Sequence, residues 1–154
     1  MKTLLDDPDA RVVQMGELIL VDWRGPVRPA AVDVVGVALR SAPPASVSLF
    51  MVVREACGVP SANVRQHIKA TMNAAADHIA AHATVIEGAG IAASAARTAI
   101  NAMRAVVRKS YHERTFADAR DALDWLEATS PGRSWTCYDA LGVLGPAPAP
   151  GRRS

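Results

Sequence analysis

Cys57 stands in the loop REACGVPS, between a strongly apolar stretch and a segment of helical period. A thiol at the start of a helix can ionise readily and attack an electrophile. Ser61 closes the same loop. A serine there either caps the free N–H groups of the first turn or accepts a phosphate that those groups and the helix dipole would hold; both readings stay open. His67, His78 and His82 fall along one edge if Ser61 to His82 is read as a single helix. His78 and His82, spaced i and i+4, could then share a metal ion. No glutamate stands between them as in HExxH, and a boundary stripe beside the apolar face accounts for them equally well, so neither a metal nor another cofactor is expected. Arg97, Asn101, Arg104 and Arg108, followed by Lys109, recur at helical spacing and form a basic stripe suited to an acidic protein surface or to phosphates. The stripe has none of the aromatics that stack single-stranded bases, so nucleic acid is not the expected partner. Gly88-x-Gly90 precedes a helix without the third glycine of a dinucleotide fingerprint and reads as a turn. Trp135, with Tyr138 beside it, is a candidate contact to a partner.

These residues need elements to position them. Ala83 to Glu87 reads as a strand that stops at Gly88-Ala89-Gly90. Ala92, Ala96, Ile100, Met103 and Val107 then share one helical face. Thr115 and Phe116 end a short strand, and Thr115 or Asp118 can cap a last helix with Ala119, Ala122, Leu123 and Leu126 inward. Upstream, Arg11 to Met15 and Glu17 to Trp23 read as two strands about Gly16. LILVDW is nearly continuous in apolar residues, as in a strand covered on both faces. Pro29 starts a helix, Ser46 to Val53 is the strongest strand, and the helix from Ser61 is expected to run to His82. Residues 1–10 are expected to be a flexible N-terminus, residues 11–128 one α/β domain, and residues 129–154 an extension ending in a disordered Pro/Ala tail.

The 154 residues are one domain's worth, and half are hydrophobic, enough for a sizeable core. A net charge of +2 implies no bulk attraction to nucleic acid or acidic lipid. No apolar run approaches the roughly twenty residues of a membrane helix. The acidic opening MKTLLDDPDARVV does not look like a secretory signal. Cys57 and Cys137, without CxxC spacing, read as free thiols of a cytoplasmic protein.

The stretch VIEGAGIAASAARTAINAMRAVVRKSYHERTFADARDALDWL, with Ser94 to Arg97 as a Ser-x-x-Arg helix and Ala122, Leu123, Trp125 and Leu126 as an Ala-Leu-x-Trp-Leu helix, resembles the C-terminal half of small bacterial STAS-like proteins (sulfate transporter and anti-sigma factor antagonist). The residue match covers about 83–126 and the element order about 11–128. The resemblance implies a mixed sheet of four to five strands in the order β-β-α-β-α-β-α-β-α. It also implies a non-catalytic signalling or scaffolding module acting through a protein partner, with Ser61 at the phosphoacceptor's place. Glu55-Ala56-Cys57-Gly58-Val59-Pro60-Ser61 stands where that family carries Asp-Ser-Ser-Gly. Two other readings are a small-molecule or anion-binding protein using the helix starts near Ser61 and Gly90, and an enzyme with Cys57 as nucleophile. An apolar edge at Arg11 to Met15 could also pair two copies.

Overall fold

A computed structural model describes residues 1–104, 110–130 and 132–145. Six strands lie side by side in their order along the chain. β1 (Lys2–Asp6), β2 (Ala10–Met15) and β3 (Leu18–Trp23) form an antiparallel meander. β4 (Val47–Val53), β5 (Ile79–Ile86) and β6 (His112–Phe116) then add in parallel. The general α/β class holds, with six strands where four to five were expected.

The crossovers are α1 (Pro29–Arg40), α2 (Ala62–Ala75) and α3 (Ile91–Arg104). Parallel strands laid down in sequence, with crossovers of one hand, place all three helices on one face. There α1 and α2 close over Ile19, Val21, Leu49 and Ile79. The opposite face carries Leu18, Leu20, Phe50, Val52, Ala83 and Val85, covered by α4 (Ala119–Thr129) and α5 (Cys137–Leu144). Alternate residues of β3 and β4 therefore feed two different cores, which is why LILVDW and VSLFMVV are apolar without alternation.

The N-terminus is a strand, not a flexible lead. Leu4 and Leu5 pack on the first core. The Asp7 carboxylate accepts the N–H groups of Asp9 and Ala10 at 2.9 and 2.8 Å, and Arg28 pairs with both Asp7 and Asp9. The acid-rich DDPD thus ends β1 and makes the turn into β2. Because β1 covers it, β2 presents no free edge, and the pairing of two copies through Arg11 to Met15 is withdrawn.

The expected helix from Ser61 to His82 stops at Ala75, and a single 3₁₀ turn follows at Ala76–His78. Ala45 and Ser46 donate to the carbonyls of Asp77 and His78, drawing the chain into register with β4. IAAHATVI then becomes β5, because a place between two strands outweighs the helical preference of three alanines.

Of the extension expected over residues 129–154, the Pro/Ala tail from residue 146 lies outside the described residues, and the part around Ser134 and α5 is fastened. Ser134 donates its N–H and hydroxyl to Glu17 at 3.0 and 2.7 Å, and the hydroxyl bond holds the Glu17 carboxyl below its ordinary pKa. Thr136 and Asp139 form a capping box at the start of α5. Gly16, at φ +55°, turns β2 into β3 under that contact, and a Cβ there would collide with the Ser134 hydroxyl. Gly16→Ala is expected to cost about 1–2 kcal/mol in urea unfolding.

Candidate functional site

β3, β4 and β5 end at the same edge of the sheet, so the loops that follow them converge. Their first charged residues interlock. Arg54 Nε lies 2.7 Å from Asp22 Oδ1, Arg54 Nη1 lies 2.5 Å from Glu87 Oε1, and Arg24 Nε lies 3.0 Å from Asp22 Oδ2. Burial opposes the charge on Arg54, yet the Asp22 and Glu87 carboxylates more than offset it and raise the guanidinium pKa above its ordinary value. This network was not anticipated from the sequence; the signal was Asp22, an acid inside an apolar strand. It closes on itself and sets the loops that carry Cys57, Ser61 and Gly88.

Cys57 is buried, and its thiol donates to the Trp23 carbonyl at 2.9 Å. Burial pushes its pKa from 9.0 up to about 11, so the helix start does not activate it. Iodoacetamide at neutral pH is expected to label Cys57 far more slowly in the native chain than in the urea-unfolded chain, read by mass of the Cys57 peptide; equal rates would return Cys57 to candidacy as a nucleophile. The folded state holds this proton more tightly than the unfolded one. Its contribution to stability is therefore complete below pH 9 and is lost as pH rises toward 11. Cys137, also a free thiol, is raised to about 11 chiefly by burial as well.

Ser61 is exposed and caps α2, its hydroxyl accepting from Val64 N at 3.4 Å. The histidines do not share a helix edge. His67 meets Asp33 of α1 at 2.7 Å, His78 Nδ1 meets the Ala42 carbonyl at 2.7 Å, and His82 lies buried on β5. Among the described residues no three His, Cys, Asp or Glu side chains gather as metal ligands. Arg97 folds back to donate to the Gly88 carbonyl at 3.0 Å, and Asn101 is exposed. The Arg104 side chain and the whole of Arg108 lie outside the described residues, so the basic stripe is described only in its first half. Gly88 and Gly90, at φ +99° and +115°, make the turn the sequence implied. Trp135 is 2% exposed and belongs to the second core, which corrects its assignment as a partner contact. Its neighbour Tyr138 is the exposed aromatic.

A cleft opens between α2 and α3. An open groove of about 1000 Å³ runs between them, lined by Ala62, Arg65, Gln66 and Lys69 of α2 and by Ser94, Thr98 and Ala99 of α3. Beneath it lies a chamber of about 120 Å³ walled by Trp23, Val35, Met51, Val53, Ile68 and Met72. Lys69 and Ala99 line both spaces, so the two adjoin there. The chamber also reaches His82, Thr84 and Glu113 of β5 and β6. Thr84 Oγ1 lies 3.1 Å from His82 Nε2, and His82 Nδ1 lies 3.3 Å from Glu113 Oε1. Both His82 and the Glu113 side chain are more than nine-tenths buried. An apolar chamber with a few convergent polar groups is the usual form of a small-molecule site. Reading His82 as helical concealed it, since only a strand at Ile79–Ile86 turns His82 and Thr84 to this face.

No protein-family model matches the chain, and no curated protein or solved structure matches it either.

Proposed function

We propose that this protein is a non-catalytic binding module that takes a small molecule in the cleft between α2 and α3. The observation that carries this reading is the apolar chamber with His82 and Glu113 in its lining and an open groove above it. The groove reaches Ala62 and Gly90, at the starts of α2 and α3, so the anion-friendly helix ends lie at its rim. The buried, protonated Cys57 supports a binding role over a thiol-based reaction. Native mass spectrometry of the gently purified chain is expected to show a bound small molecule. Ala99→Phe, which puts a ring where the chamber meets the groove, is expected to abolish the adduct while the far-ultraviolet dichroism persists. Retention of the adduct by a folded Ala99→Phe chain would remove the cleft as its seat.

A second reading follows the STAS-like resemblance: a cytoplasmic bacterial signalling module contacting a protein partner at Ser61. Two observations favour it. The exposed Ser61 hydroxyl opens the helix that follows β4, and parallel strands follow one another in sequence after an antiparallel start. Affinity purification from the native host would support it by recovering a defined protein partner that Ser61→Asp releases. A partner held equally by wild type and Ser61→Asp would count against that site.

A further inference from the structure

Resting on the cleft reading, we propose that the ligand is a compact monocarboxylate, its apolar body in the chamber and its carboxylate outward at Lys69. Size comes first. The chamber, at about 120 Å³, approaches the roughly 150 Å³ of an apolar cavity known to admit benzene. One ring, or a short branched chain, fills it. The walls formed by Trp23, Val35, Met51, Val53 and Met72 offer such a body dispersion contacts and almost nothing to hydrogen-bond.

Charge then sets the direction. Glu113 lines the chamber beside His82, so a ligand carboxylate placed there would lie next to another carboxyl group in a site removed from water. Lys69 is the cationic residue among the described lining of the chamber, and it also lines the groove. Arg65 stands farther out with Gln66, Ser94 and Thr98, and no carboxylate is among the described residues lining the groove. Among the described residues lining the cleft, the acid thus lies inside and the cations Lys69 and Arg65 lie toward the mouth. An anionic head is favoured outward and disfavoured inward. His82 also lines the chamber, its buried Nδ1 3.3 Å from Glu113 Oε1 and without a hydrogen bond, so the inner end is not purely apolar.

The test is titration of the intact chain with hydrocinnamate and with hydrocinnamyl alcohol, which share one body and differ in the head. Methyl NMR of Met51 and Met72 reports occupation of the chamber. Hydrocinnamate is expected to shift both methyls saturably and to bind about tenfold more tightly than the alcohol. Lys69→Ala is expected to remove most of that preference, and Lys69→Arg to restore it. Equal binding of acid and alcohol, or a preference that survives Lys69→Ala, would overturn the carboxylate assignment and leave the cleft reading standing. If neither compound moves either methyl, the monocarboxylate assignment is overturned, and the cleft reading is decided separately by the Ala99→Phe adduct test.

Discussion

Asp22→Ala is expected to lower the free energy of unfolding by about 3–5 kcal/mol, the cost of breaking a buried ion pair from one side. Asp22 is 2% exposed and receives Arg54 on both oxygens and Arg24 on Oδ2. Alanine would leave Arg54, itself only 16% exposed, with Glu87 as its carboxylate partner in this network. Glu87 is a third exposed and is the weaker anchor, because water screens it. Asp22→Asn keeps an acceptor for the guanidinium and is expected to lose roughly half as much. Urea titration with an unchanged slope would show that stability, and not the compactness of either state, has moved. A loss under about 1 kcal/mol for Asp22→Ala would mean that the network does not staple the strand ends. The site is expected to respond as well. The loops after β3, β4 and β5 leave the sheet at this network, so ligand affinity is expected to fall before the fold is lost.

Trp135→Ala is expected to cost about 3–5 kcal/mol, as emptying a core site of an aromatic does. Trp135 lies in the cluster formed by Phe50, Leu123, Leu126, Ala140 and Val143, which joins α4, α5 and the sheet. Its indole Nε1 is buried without a hydrogen bond. Trp135→Phe, which discards that N–H and keeps a ring, is therefore expected to cost no more than about 1–2 kcal/mol. The pair of variants separates core from interface. A partner contact would leave the stability of the free chain unchanged in both, whereas a core residue gives the graded loss measured by denaturation. Near-neutral stability of Trp135→Ala would reinstate the contact reading.

Both cases show where local pattern stops. Trp135 follows a Ser-Pro-Gly-Arg-Ser run that reads as loop, and nothing within ten residues announces that Glu17 and Ser134 will meet and fold the segment over β2 and β3. The contact spans 117 positions of sequence. The opening aspartates are similar. DDPD has the composition of a frayed end, yet Arg28 and the Asp7 turn make it the bend between two strands.

The sequence by itself determined the α/β class, the turns at Gly16 and at Gly88 to Gly90, the starts of α1 and α2, and the inward face of α4, whose start it narrowed to Thr115 or Asp118. Each of these is a local matter of side-chain period, a proline or a cap within a few residues. The Asp118 side chain does accept from Arg120 and Asp121, and Ala122, Leu123 and Leu126 are fully buried. Only the tertiary structure decided where the second helix ends and the fifth strand begins, because alanine-rich IAAHATVI carries both preferences and pairing with β4 and β6 chose between them. That choice moved His82 from a surface helix to a buried strand. It set His82 and Thr84, two residues apart on one strand face, beside Glu113 of β6 under the α2–α3 cleft, a neighbour that no spacing in the sequence announces.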